Sequence, residues 1–373
     1  MRRIFLALLA ATLAFAPAAR GDDDDPEFGK RKLSEWIKML HDKESAFKMR
    51  RGALLVMEIY GPKIRGVVPA VAKALRTDES VEIRTLAAQS LGQMGEDAED
   101  AASALAESVK SDKADQVRAT AAAALGKLGT KGKSSASALA TAVKDKAAPV
   151  RQAAVESLGL IGADPNDVLE AVLTSLKDPD AKVRFQGVVT LFKLGPKSAA
   201  LAVPDQLNNM VAKDDSAAVR AKTAEVLNNL GKDAAGAATG LIAALGDNDE
   251  NVRRWAVLAL GKIGEPARPA LPKLAAILNG DSKAEPAVGP DPDEFVRGHA
   301  VQTIASLGKE SVPALARCVE NEPLVEVRLL AIRELGKMGD DAAPAVPALK
   351  KAAGDGRAVI REAAQNALKK ISG

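Results

Sequence analysis

The sequence predicts an all-α fold, a solenoid of about ten stacked helix pairs. Three observations carry that expectation. Aromatic residues are only 3% of the chain, against 47% hydrophobic residues overall. Sheets lean on aromatic and β-branched side chains, whereas Ala- and Leu-rich sequence favours helix. An acidic residue precedes an Arg by six positions ten times over, and a Gly follows nine of those arginines by eleven positions. Such self-similarity marks a repeat architecture, in which each unit stacks only on its neighbours.

The chain opens on a segment unlike the rest. Arg2 and Arg3 form a basic start, and residues 4–16 are an uncharged apolar run. That run is shorter than the ~20 residues that span a bilayer. Ala16, Ala18 and Ala19 offer small residues to signal peptidase, and a cut leaving Pro17 first is disfavoured. Residues 1–19 therefore read as a cleavable signal peptide of the general secretory route, and the protein is expected to be exported, periplasmic or extracellular. There is no Cys near the cut for a lipid anchor. No later apolar run approaches ~20 residues, so no membrane span is expected in the mature chain. Without Arg2 and Arg3 the chain holds 50 Lys and Arg against 49 Asp and Glu. Net charge thus gives no support to nucleic-acid binding. Residues 20–29, which include Asp22 to Asp25, read as an acidic linker.

Residues 30–373 carry the repeat. Its pairs are Glu44/Arg50, Asp78/Arg84, Asp112/Arg118, Asp145/Arg151, Asp178/Arg184, Asp214/Arg220, Asp247/Arg253, Asp291/Arg297, Glu322/Arg328 and Asp355/Arg361. Successive arginines lie 34, 34, 33, 33, 36, 33, 44, 31 and 33 residues apart. The glycines run from Gly61 through Gly129 to Gly339, and Ser372 takes the tenth position. Each unit reads as two helices. In the third, Val117, Ala121, Ala122, Leu125 and Leu128 recur at helical spacing, and Gly129 stands where a helix end wants a left-handed residue. Ala138, Leu139, Ala142 and Val143 mark the next helix. The acidic residue falls in the turn before the second helix, where its carboxylate can accept from free N–H groups as an N-cap. Pro69, Pro204, Pro272, Pro313 and Pro347 sit in or near opening turns of first helices, where a missing N–H costs little. The first helix is expected over residues 33–40, with Trp36, and the last over 359–371. Lys369 and Lys370 suit a polar C-terminal end. Residues 26–77 hold twelve Lys and Arg against five Asp and Glu, which reads as a solvated cap or a docking surface for an acidic partner.

Pro in the first helix, Asp in the turn and Arg in the second helix resemble HEAT repeats, and most closely the short, Ala-rich repeats of phycobilisome-lyase type. The resemblance spans about residues 30–373. It implies a right-handed α-solenoid in which the Asp and Arg side chains form a structural ladder between neighbouring repeats. It also implies that the second helices line a concave surface.

Counted from the ladder Arg, positions −1, +3, +4 and +7 of the second helix share one face and are mostly Val, Ala and Leu, the expected core. Positions +1, +2, +5 and +9 face the other way. At +9 lies a row of lysines, Lys127, Lys193, Lys262, Lys337 and Lys370, which also complements helix dipoles. At +2 most residues are small or polar, but three consecutive repeats carry Trp255, His299 and Leu330. Arg254, Leu258, Gln302 and Arg333 share that strip. These seven residues are the candidate partner-binding surface, since Trp and Arg are typical binding anchors. A Pro/Gly-rich insertion near residues 284–291 flanks the strip, and burial of Trp255 beneath it is the competing reading.

No catalytic constellation is recognisable. His41 and His299 are far apart in the repeat order, and Cys318 lies in the apolar pattern Val312, Leu315, Val319, as a buried structural Cys would. One Cys and two His exclude a disulfide scaffold and a His- or Cys-rich metal site. The sequence shows no nucleophile motif or phosphate-cradling loop. The expected role is a non-catalytic, cofactor-free, monomeric scaffold for a protein or peptide ligand. A lyase-like or cofactor-handling accessory role follows from the phycobilisome-lyase resemblance, and the export signal and lack of an aromatic pocket weigh against it. A structural component of the cell envelope is a third class.

Overall fold

The computed structural model describes residues 25–281 and 289–371. The expected signal peptide, most of the acidic run, most of the 284–291 insertion and Ser372 lie outside them. The described residues divide into two compact units, one ending at Leu139 and the other beginning at Ala140.

In the first unit the helix pairs are Leu33–His41 with Phe47–Tyr60, Val67–Thr77 with Val81–Met94, and Ala102–Ser111 with Asp115–Lys127. The expected cores are buried: Val117, Ala121, Ala122, Leu125 and Leu128 have no exposed surface. The acidic run does not end in a free linker at residue 29. Asp25 accepts from the N–H and hydroxyl of Ser34, both at 2.7 Å. Glu27–Phe28 then pairs antiparallel with Arg31–Lys32. This hairpin covers the end of the stack. Trp36 Nε1–H donates to the Phe28 carbonyl at 3.1 Å, Tyr60 donates to the Pro26 carbonyl at 2.7 Å, and the Arg31 guanidinium lies 5.3 Å from the centre of the Trp36 ring. An open solenoid end must be covered by a polar face, and the basic hairpin does that here.

The second unit continues the pattern. Its second helices are Ala148–Leu158, Ala181–Lys193, Ala217–Leu230, Glu250–Ile263, Glu294–Ser306, Val325–Met338 and Ala358–Ile371. Consecutive second helices pack on one another more extensively than consecutive first helices do, so they form the inner layer of this unit. All nine repeat glycines have positive φ, from 54° at Gly129 to 104° at Gly195. The periodic Gly is thus the residue that lets the chain leave each second helix.

First helices usually enter through a 3₁₀ stretch, such as Gly231–Ala237 or Gly339–Ala345. Pro272, Pro313 and Pro347 then occupy the second helical position. Pro204 differs. There the approach is already α-helical, Pro196–Ala202, and runs straight into the proline. The missing N–H falls inside a helix, and Val203–Leu207 widens into a π-turn.

Candidate functional site

The ladder is explicit in the geometry. Arg50, Arg84, Arg151, Arg184, Arg220, Arg253, Arg297 and Arg328 each reach forward to the carboxylate of the next repeat. Arg84 Nε and Nη2 donate to Asp112 at 2.7 and 3.0 Å, Arg184 to Asp214 at 2.8 and 2.8 Å, and Arg220 to Asp247 at 2.6 and 2.8 Å. Arg50–Asp78, Arg253–Asp291 and Arg297–Glu322 follow the same two-pronged plan. Meanwhile Nη1 turns back to its own repeat: Arg118 donates to the Asp112 carbonyl at 2.9 Å, and Arg253 to the Asp247 carbonyl at 2.9 Å. One guanidinium therefore ties two repeats together. Arg328 departs from the plan, giving Nε to the Val319 carbonyl and Nη1 to Asp355, both at 2.6 Å.

The acidic residue does not cap the second helix, as the sequence suggested. It sits two residues earlier. Asp178 accepts the N–H of Asp180 at 2.9 Å, and Asp180 is the cap, accepting from Lys182. Asp145, Asp214, Asp247 and Asp291 make the same turn. A carboxylate that must reach an Arg one repeat away cannot also fold over its own helix end. Burial pushes Asp112, Asp214 and Asp247 up, but their Arg partners and the turn N–H outweigh it. All three carboxyls are held below the usual range.

Three of the five lysines in the row have a packing role. The stem of Lys127 lies over Gly92, that of Lys193 over Gly159, and that of Lys370 over Gly336. Each Gly is on the preceding second helix, and its bare backbone is the groove in which the aliphatic stem rests while the amine stays wet.

The seven strip residues do not form one row. His299, Gln302 and Leu330 come together, lining a groove between the Glu294–Ser306 and Val325–Met338 helices with Phe295, Leu324 and Val327. Arg333 lines the next groove along, with Val359 and Asn366. Arg254 is engaged elsewhere: it pairs with Asp293 and Glu250, and its guanidinium stands 5.3 Å from the centre of the Phe295 ring. Trp255 and Leu258 are half-buried one helix back. His41 is also half-buried, and burial with nearby Lys73 pushes its pKa down. Cys318 is fully buried, which pushes its thiol up to about 12. A thiol held protonated this way is a poor nucleophile.

Two inner-layer features escaped the sequence reading. Phe295, two residues before its ladder Arg, is 60% exposed. On the Ala181–Lys193 helix, Phe185, Val189 and Phe192 follow helical spacing, the first two half-buried and Phe192 exposed. With only seven Phe in the chain, their positions were the available signal. Phe192 stands where five other repeats hold Gly92, Gly126, Gly159, Gly261 and Gly336.

Comparison with known proteins agrees with this architecture. The family described as HEAT repeats matches residues 33–126, 111–191, 204–288 and 286–369. A search of curated proteins finds no match to this sequence. Among solved structures, an engineered protein is similar with 18% identity and a TM-score of 0.56, covering 91% of this chain and 99% of its own. Yeast importin-β, Kap95p, with RanGDP is similar with 13% identity and a TM-score of 0.55, covering 91% of this chain and 51% of its own. A further importin-β structure gives the same figures. This chain spans about half the length of those importins, and at such identities the likeness is one of fold. By its four family matches and its repeat geometry, the chain belongs to the HEAT-repeat family.

Proposed function

We propose that this chain is an exported, non-catalytic scaffold that holds a protein partner along its second-helix face. HEAT-repeat folds commonly bind proteins, and Kap95p is one that binds RanGDP. The observation that carries the reading is apolar surface that stacking leaves unused. Phe192 and Phe295 stay 41% and 60% exposed on helices of the inner layer. Large exposed apolar side chains gathered on one face mark an interaction surface. The reading is tested by placing a photo-crosslinking residue at Gln302, on the inner layer, or at Lys350, on a first helix, in the native host. A discrete protein adduct from Gln302 and none from Lys350 is expected; the reverse rejects the inner face.

Export rests on Arg2, Arg3 and the apolar run at residues 4–16. N-terminal sequencing of protein from its native host should find Ala19 or Arg20 first. An intact Met1 would remove the export claim.

A further inference from the structure

The groove between the Glu294–Ser306 and Val325–Met338 helices is more specific than a generic contact surface. Its walls are Phe295 on one helix and Val327 and Leu330 on the other. Phe295 is held in place before any partner arrives. Arg254 stacks on its ring, and Asp293, which receives Arg254 at 2.7 Å, caps the helix on which Phe295 sits by accepting the Phe295 N–H at 2.8 Å. The ring is thus fixed yet remains largely in solvent, as a preorganised anchor wall should be.

The second observation is Gly298. It lies within a regular helix, where Gly costs ~1 kcal/mol relative to Ala. A Cβ there would meet nothing within 4 Å. Neither backbone conformation nor packing calls for glycine at this position. What the missing side chain does is open the groove between Phe295 and Leu330.

Charge decides what the opening takes. Glu294 and Glu326 are the carboxylates lining it, and both are exposed. The cation beside it, Arg254, is already paired with Asp293 and Glu250. Among the described residues neither Glu294 nor Glu326 forms an ion pair, so the groove offers an apolar slot between two acids. We propose that it receives a partner segment with one large apolar side chain flanked by lysines or arginines, the apolar group entering over Gly298 and the flanking cations meeting Glu294 and Glu326. This rests on the inner-face reading and names the chemistry of its partner.

The probe is a fluorescein-labelled peptide with one Phe between two Lys-Arg pairs, followed by anisotropy at low salt. Controls replace the basic pairs with Asp-Glu pairs or the Phe with Ala. The basic peptide should bind with a Kd below about 1 mM, and both controls should bind at least about fivefold more weakly. Joint Glu294→Gln and Glu326→Gln substitution should weaken the basic peptide about fivefold and flatten its salt dependence. Gly298→Leu should abolish binding while leaving the melting temperature unchanged or higher, because it fills open space and improves helix propensity. Absence of binding, equal binding of the acidic control, or binding indifferent to Gly298→Leu overturns the proposal. The Gln302 cross-link decides the inner-face reading separately, so a cross-linked partner with no basic-peptide binding would leave that reading standing and remove this one.

Discussion

Arg151 grips Asp178 of the following repeat through two parallel hydrogen bonds, Nε to Oδ2 at 2.6 Å and Nη2 to Oδ1 at 2.8 Å. The same guanidinium donates through Nη1 to the Asp145 carbonyl of its own repeat at 3.0 Å. Asp178 in turn accepts the Asp180 N–H. Its carboxylate is therefore the link between one repeat and the turn geometry of the next. Both side chains are largely withdrawn from water, at 13% and 7% exposure.

Removing one member of such a pair leaves the other buried and unpartnered, which costs more than the pair contributes. Asp178→Ala should destabilise the protein by ~3 kcal/mol. Asp180→Ala removes only the helix cap and should cost ~1 kcal/mol. Urea unfolding of the two variants measures the difference. Equal losses, or a larger loss at Asp180, would show that the ladder does not join the repeats energetically.

The ladder also predicts how stability depends on acid. Asp112, Asp214 and Asp247 are held below their ordinary carboxyl range in the folded chain. A depressed folded pKa contributes stability above the unfolded value, and that stability is lost as pH falls through the folded one. Urea midpoints should be flat from neutral pH down to about 5 and drop steeply below about 4. In Asp247→Asn the drop should be shallower, because one linked proton is gone. A midpoint that declines already between pH 7 and 5 would assign the dependence to other groups.

Two helical glycines should respond with opposite signs. A Cβ on Gly240 would overlap the Asn208 carbonyl oxygen, and the Gly240 N–H already donates to the Asn208 side chain at 2.7 Å. Gly240→Ala should therefore force the first helices apart and cost ~1–3 kcal/mol. Gly298→Ala enters open space and should stabilise by up to ~1 kcal/mol. Thermal melts of the two variants suffice, and a loss of stability at Gly298 would mean the groove is already filled.

The fold was legible because its determinants are periodic. The offset from Asp78 to Arg84 to Gly95 recurs in repeat after repeat, and each member has one physical task. The binding face was less legible because it lies where the period fails. Position +2 drew attention to His299 and Leu330, which do share a groove. It could not show that Arg254 is spent on Asp293, since that contact joins residues 39 apart across two repeats. Phe295 belongs to no recurrent position, so register alone gave it no weight. The N-cap assignment failed for a related reason: the turn holds two acidic residues, Asp178 and Asp180, and only geometry shows which one reaches the neighbouring Arg.

Trp255 is the remaining strip residue whose role a single variant decides. It is half-buried on the Glu250–Ile263 helix, one helix back from the groove lined by His299 and Leu330. Truncating a fully buried aromatic costs ~3–5 kcal/mol, so a half-buried one should cost ~1–2 kcal/mol. Trp255→Ala should thus lower the melting temperature modestly while leaving the repeats folded. Because the chain has two Trp, a Trp36→Phe background isolates the fluorescence of Trp255. If Trp255 anchors a partner, binding should shift its emission to the blue, and Trp255→Ala should weaken binding by ~2 kcal/mol. A stability loss above ~3 kcal/mol, with emission already blue in the free protein, would make Trp255 a core residue and withdraw it from the binding surface.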